Sequence, residues 1–191
     1  MSAPRLILAS ASPRRRELLS AAGYNFEIHP ADIDEENHPP LAPPQLAEFL
    51  AVGKAAVIAD RFPDCVVLAA DTVVALGDLA IGKPPDESAA MQTLQLLSGT
   101  THQVITGICV EHRSRRWLRQ AIISSTVVMK NLSAAEIEKY VQSGQWRGKA
   151  GGYGIQDPTS EQFVSRTSGS YSNIMGLPME MTAELLTAAG I

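Results

Sequence analysis

Hydrophobic runs of two kinds alternate along the chain. Leu6-Ile7-Leu8-Ala9 is a short continuous apolar run and predicts a first buried strand, with Ser10-Ala11-Ser12 as the loop after it. Ser12-Pro13 then predicts a helix start, with serine at the N-cap and proline at the first helical position. This helix is expected to run to Ala22 and stop at Gly23. Asn25 to His29 predicts a second short strand, and the acidic, proline-rich stretch from Ala31 to Pro44 a loop. From Gln45 to about Arg61 the spacing is helical, with Leu46, Phe49, Leu50, Val57 and Ile58 assigned to one face. Cys65 to Leu76 is rich in valine and predicts a buried strand, ended by a turn at Gly77-Asp78.

The second half follows the same logic. Asp86 to Leu97 predicts a helix ending near Gly99. Val104 to Glu111 and Ala121 to Met129 predict a strand pair around the basic turn His112 to Arg116. Ser133-Ala-Ala-Glu136 is a capping-box pattern opening a helix that ends at Gly144. Gly151 to Ser172 is rich in Gly, Ser and Thr and predicts a functional loop region. Leu177 to Ala189 is the last expected helix, with Pro178 near its start. Such alternation implies an α/β or α+β class with a mixed sheet. No internal repeat and no linker divides residues 1–191, so a single domain is expected.

Composition sets limits on function. The chain is 45% hydrophobic and 19% charged, which suits a globular fold with a real core. A net charge of −4 argues against general nucleic-acid binding, which needs a basic face, but leaves room for a small anionic ligand. No apolar stretch approaches a membrane span, and the start has no signal-peptide pattern. Cys65 and Cys109 sit in apolar runs without zinc or redox spacing, which fits a reducing, cytoplasmic setting.

Five segments carry candidate chemistry. In Ser10-Ala11-Ser12-Pro13-Arg14-Arg15-Arg16 a strand feeds a capped helix, whose free N–H groups and partial positive charge suit phosphate. Arginines in the first turn oppose the helix dipole by about 0.3–1 kcal/mol each, a conflict that a bound anion would remove. Successive helical side chains diverge, so one or two of the three can reach a shared ligand. Asp71-Thr72 interrupts an apolar strand. A carboxylate there is costly unless paired or bound to metal, and at a cleft it can hold Mg²⁺ or take a proton from water. Glu35 lies in the acidic loop and would complete a hard-cation site if the fold brought it to Asp71; alone it reads as solvated.

The other two segments are basic and glycine-rich. Lys54 shares the helical row Leu46, Leu50, Ile58, so it either snorkels at the edge of that face or reaches into a cleft. Lys83 sits in the stiff Gly82-Lys83-Pro84-Pro85 loop. Lys149-Ala150-Gly151-Gly152-Tyr153-Gly154-Ile155-Gln156 allows close backbone approach, and Gln156 offers both donor and acceptors to a base edge. His102 reads best as a satisfied structural histidine. Neither a P-loop, a dinucleotide fingerprint nor a covalent-hydrolase motif occurs.

Taken in order, several of these segments resemble the Maf family of nucleotide pyrophosphatases. The matching motifs are Ser10-Ala-Ser-Pro-Arg-Arg, Ala70-Asp71-Thr72-Val73-Val74, Gly82-Lys83-Pro84 and Ser98-Gly-Thr-Thr-His-Gln-Val. They continue with Lys149 to Gln156, Gly169-Ser170-Tyr171 and Gly176-Leu177-Pro178. The resemblance implies an elongated mixed sheet of the Maf and ITPase-like kind, with flanking helices and two lobes around a central cleft. It implies cleavage between the α- and β-phosphates of a nucleoside triphosphate, and the chemistry of such cleavages adds the expectation of Mg²⁺ or Mn²⁺ at Asp71 and Glu35. It makes Asp71 the proton acceptor and places Glu35, Lys54 and Lys83 in the same cleft. Ser10, Ser12, Arg14 and Arg15 would hold the triphosphate. Arg14, Thr72 and Gln156 occupy the family's three substrate-sorting positions and resemble the dTTP/UTP branch; the 7-methyl-GTP branch has Trp, Gln and Glu there. A nucleotide sensor tied to cell division, binding without turnover, is the alternative from another class. A homodimer is also implied. One departure is Asp157, where the family motif has glycine.

Overall fold

The computed structural model describes residues 4–191. Among the described residues seven strands form one sheet: β1 (Leu6–Leu8), β2 (Phe26–Ile28), β3 (Val66–Leu76), β4 (Leu79–Ile81), β5 (Thr101–His112), β6 (Trp117–Met129) and β7 (Val164–Ser168). Their order is β2-β1-β3-β5-β6-β7, with β4 also bonded to β3. β1 runs parallel to β2 and β3, and the remaining pairings are antiparallel. Six helices flank the sheet: α1 (Pro13–Ala21), α2 (Pro43–Arg61), α3 (Glu87–Leu97), α4 (Ala134–Gln142), α5 (Tyr171–Met175) and α6 (Met179–Ala189). The mixed α/β class expected from the sequence is the one observed. Among the described residues no helix is long and apolar enough to cross a membrane.

The alternation of side chains along β3 divides the core. Val67, Ala69, Val73 and Ala75 pack under α2, in clusters with Leu46, Ala47, Leu50, Ala51, Ala55, Ile58 and Ala59. Val66, Leu68 and Ala70 face the other way, toward Leu19 of α1 and Leu186 of α6. Val74, also on that side, joins Leu94 and Leu97 of α3 and Ile137, Tyr140 and Val141 of α4. Asp71 therefore points toward α2, and Thr72 toward the opposite layer.

α2 comes unusually close to the sheet. Alanines line its inner face, and it crosses β5 at Gly107, where an added Cβ would lie 2.3 Å from the carbonyl oxygen of Ala47. This close approach corrects the helical face drawn from the sequence. Phe49 and Val57 are 46% and 38% exposed. Small residues mark the buried stripe, so a reading weighted to large apolar side chains draws the stripe too wide. α2 also begins two residues early, at Pro43, because prolines suit a first turn whose N–H groups have no helical partner.

Other local expectations divide. α4 carries its capping box, and Asp86 caps α3 by accepting from the Ala89 N–H at 2.8 Å. Ser12 stands at the N-cap of α1 but its side chain makes no capping bond; Ser10 Oγ accepts the Ser12 N–H instead, at 3.2 Å. The stretch 151–172, expected as loop, contains β7. Its residues Val-Ser-Arg-Thr-Ser all keep some solvent contact, so this edge strand has no apolar alternation to reveal it. β4, three residues long and directly after the predicted turn, was likewise not anticipated.

One feature of the topology positions the cleft. β1 pairs with β3 at Val66–Leu68, and β4 pairs with the same edge at Val74–Leu76. β5 occupies the other edge throughout. Residues 69–73 thus have no strand on one side, and Asp71 sits at the centre of the gap.

The Gly107 contact yields a paired prediction. Gly107→Ala is expected to lower stability by about 1–3 kcal/mol through overpacking. Gly53→Ala, inside α2 and meeting only Ile33 at an ordinary 3.6 Å, is expected to be neutral or to add up to about 1 kcal/mol. Denaturant unfolding of both variants checks the contrast.

Candidate active site

The gap in β3 opens into a cleft of about 330 Å³. Chain segments far apart in sequence converge on it. The loop after β1 brings Ser10 and Ser12, and the first turn of α1 brings Arg14 and Arg15. Glu35 comes from the acidic loop, Lys54 from α2, Asp71 and Thr72 from β3, Lys83 from the loop after β4, and Gln156 from the loop after α4. All ten candidate residues from the sequence line this one cleft.

At its centre Lys54 is shared by two carboxylates. Its ammonium lies 2.6 Å from Asp71 Oδ1 and 2.6 Å from Glu35 Oε1. The Lys54 and Asp71 side chains are 8% and 7% exposed, so Lys54 does not snorkel. The helical row that placed it among apolar residues points it inward, where Asp71 makes its charge tolerable. Lys83 Nζ approaches Glu35 Oε2 at 3.3 Å from the open side. Burial opposes ionisation of Glu35, but the ammonium groups of Lys54 and Lys83 outweigh it and hold the carboxyl below its ordinary range.

The three arginines of α1 have three different fates. Arg15 donates to the Gly176 carbonyl at 2.8 Å, to Ser10 Oγ at 3.0 Å and to Thr72 Oγ1 at 3.1 Å. Arg14 makes one contact, to the Gly148 carbonyl at 3.2 Å. Arg16 is exposed. Burial works against both inner guanidinium charges, offset by Asp71 for Arg15 and by Asp157 for Arg14. Thr72 is fully engaged: besides Arg15, its hydroxyl lies 2.9 Å from Thr106 Oγ1.

Val74, Val104, Tyr153 and Ile174 add an apolar wall to the lining, which also holds Gln156. The Gln156 side-chain oxygen is buried and has no hydrogen-bond partner among the described residues. His102 is not part of the lining. It sits behind the wall, with Nε2 2.6 Å from the Tyr153 hydroxyl, and burial pushes its pKa down to about 4, so it stays neutral.

Asp71 and Glu35 are the carboxylates that could hold a metal. Among the described residues no group of three or more His, Cys, Asp or Glu is placed to bind one. Two carboxylates at the centre of a largely cationic cleft nonetheless suit Mg²⁺ or Mn²⁺, which bind through one or two protein carboxylates together with substrate phosphates and water.

Sequence reasoning quoted Gly176 and Lys149 within motifs without giving either a role, and it passed over Asn173. Gly176, after α5, supplies the carbonyl that anchors Arg15. Lys149 is 9% exposed, lines the cleft and is ion-paired with Asp157. Asn173 is fully buried and ties α5 to the sheet through the Val104 carbonyl at 2.9 Å and Ser125 Oγ at 2.9 Å. The available signal was Ser170, a polar N-cap between Gly169 and Tyr171, which marks a helix start that the loop reading passed over.

Comparison with known proteins places this architecture. The model of the family described as "Maf-like protein" matches residues 5–189. A dTTP/UTP pyrophosphatase of Cereibacter sphaeroides is 48% identical over 187 residues, covering 97% of this chain and 95% of the relative. One of Hyphomonas neptunium is 49% identical over 190 residues, covering 99% and 97%. A solved HAM1 protein from Coxiella burnetii covers 97% of this chain and 99% of its own at a TM-score of 0.51 and 16% identity, a likeness of fold alone. With a family match across nearly all its length and relatives close to half identical, this chain belongs to the Maf family.

Proposed function

We propose that this chain hydrolyses nucleoside triphosphates, dTTP and UTP foremost, to the monophosphate and diphosphate. The observation that carries this reading is the convergence of Arg14, Lys54, Lys83, Asp71, Glu35 and Gln156 on one cleft. Relatives that match end to end bear the name dTTP/UTP pyrophosphatase, which supports the same reading.

The cleft assigns the parts of the substrate by chemistry. A triphosphate is drawn to the end where α1 begins, with the Ser12 hydroxyl, Arg14 and Lys83 as donors. Arg15 holds Ser10 and Thr72 in place. Water is directed at the α-phosphorus, Asp71 takes its proton, the bond to the bridging oxygen breaks and diphosphate leaves. Lys54 holds the Asp71 carboxylate in place, and Arg14 and Lys83 offset the charge that grows on the leaving group. A divalent cation at Asp71 and Glu35 would polarise the phosphate oxygens and acidify the water.

The base is assigned to Gln156 and the apolar wall. Thymine and uracil present a ring N–H flanked by carbonyl oxygens. The free Gln156 oxygen accepts the N–H, and its amide nitrogen donates to a carbonyl. Cytosine has a bare ring nitrogen at that place and, with the Gln156 amide held in this orientation, would leave its oxygen unpaired, which costs affinity. The methyl group that separates thymine from uracil is not touched by this pairing, so the two are accepted together.

Purified protein incubated with Mg²⁺ or Mn²⁺ and a panel of nucleoside triphosphates is expected to release monophosphate and diphosphate from dTTP and UTP well ahead of CTP and the purines. Binding of these nucleotides without cleavage would instead identify a sensor. Asp71→Asn should lower turnover by about 10²–10⁴-fold while circular dichroism stays native; near-normal turnover by the folded variant would end this mechanism. Gln156→Glu replaces the amide donor with a charge and should cut kcat/KM for dTTP and UTP by about tenfold or more. Unchanged relative rates across the panel would remove Gln156 from base reading.

A further inference from the structure

We propose that the Lys149–Asp157 ion pair is a clasp that fixes Gln156, so that Asp157 governs base selectivity without touching the base. The inference rests on the reading that Gln156 meets the pyrimidine edge, and it goes beyond it by naming what holds that side chain in place.

Three observations carry it. Gln156 lies inside a tight turn: the Asp157 N–H donates to the Gly154 carbonyl at 3.1 Å, and Ser160 Oγ donates to the same carbonyl at 2.6 Å. Next, the turn is closed across its open side by an ion pair from Lys149 Nζ to Asp157 Oδ2, with side chains only 11% and 19% exposed. The pair packs directly over Gly154, where an added Cβ would lie 2.6 Å from Asp157 Oδ2 and 3.2 Å from Lys149 Cε. The third observation is that the lysine end of the clasp is anchored to the phosphate-facing helix. Arg14 of α1 donates to the carbonyl of Gly148, the residue before Lys149. Arg14 and Gln156 are thus joined through a short run of contacts, and Asp157 closes it.

A carboxylate in this place has two effects. It satisfies a buried ammonium that would otherwise be unpaired in the cleft wall. It also removes freedom from the turn that carries Gln156, and hydrogen-bond selectivity depends on such fixed geometry. Neutralising Asp157 leaves the chemical centre at Asp71 and Lys54 in place and loosens the base reader. The consequence is a change in the ratio between nucleotides, whereas general damage to the fold lowers all of them together.

The test is the ratio of kcat/KM for dTTP over CTP in the wild-type protein, Asp157→Asn, Asp157→Glu and Lys149→Met, each checked for native circular dichroism. Asp157→Asn and Lys149→Met should each lower the ratio by about tenfold, and Asp157→Glu should restore much of it. In a Gln156→Ala background Asp157→Asn should have no further effect on the ratio, because the residue it positions is gone. If wild-type protein prefers dTTP and folded Asp157→Asn keeps the full preference, the inference falls while the proposed function stands. A ratio lowered equally with and without Gln156 also overturns it. If wild-type protein shows no preference for dTTP over CTP, the base reading falls, and this inference with it. Should Asp157→Asn fail to fold, Lys149→Met and Asp157→Glu decide the matter by the same ratio.

Discussion

A buried ammonium between two carboxylates governs the layout of this protein. Lys54 is almost out of water, and an isolated charge there would be several kcal/mol unfavourable. Asp71 and Glu35 each approach it at 2.6 Å. For these three groups to meet, α2 must lie close enough to the sheet for the lysine stem to span from helix axis to strand. The alanine face of α2 and the missing Cβ of Gly107 provide that proximity. The loop before α2 must also fold back so that Glu35 covers the lysine from the solvent side. Removing either carboxylate would leave charge unbalanced, and so the site constrains the packing around it as much as the packing supports the site.

The gap in β3 explains why this charged group is accessible at all. A carboxylate projecting from a fully paired central strand would lie under helices on one face and between neighbours on both sides. Here β1 leaves the sheet after Leu8 and β4 reaches back only to Ile81, opposite Val74, so the edge of β3 is bare around Asp71. Both faces of the sheet meet at the bare edge. Asp71 faces α2 and Thr72 faces the α1 and α5 side, yet both line one cleft. The break in pairing thereby lets a phosphate-facing helix start from one layer work with a lysine from the other.

Much of this was legible in the sequence, because the relevant signals are local. Val66 to Leu76 is apolar save for Asp71 and Thr72, and that contrast marks the strand and the chemistry at once. The row through Leu46, Leu50 and Ile58 correctly points Lys54 inward. What the sequence does not carry is the distance between elements. Glu35 looked like a solvated loop residue, since nothing in its own neighbourhood encodes its meeting with Lys54. β7 escaped notice because an exposed edge strand need not alternate, and Phe49 and Val57 were misplaced because alanine, not leucine, defines the close face of α2. Asp157 was visible as a departure from the family pattern, but its partner Lys149 became apparent only once the turn was built.

The basic triplet of α1 shows how one run of identical residues comes to hold different tasks. Successive side chains on a helix point about a quarter-turn or more apart, so Arg14, Arg15 and Arg16 cannot share an environment. Arg16 faces solvent. Arg15 uses three of its five N–H groups on Gly176, Ser10 and Thr72, which ties the loop after β1, the gap strand and the α5–α6 turn into one wall. A guanidinium committed in this way supplies rigidity. Arg14, with a single 3.2 Å contact to Gly148, keeps most of its donors for an anion. Both charges stand in the first turn of a helix, where the dipole disfavours cations, and burial adds to that cost. The protein answers the cost at Arg15 internally, through the carbonyl and hydroxyls around it and the nearby Asp71. At Arg14 the answer is incomplete, with Asp157 as partial compensation, and a polyanion seated at the helix start is the partner that would complete it.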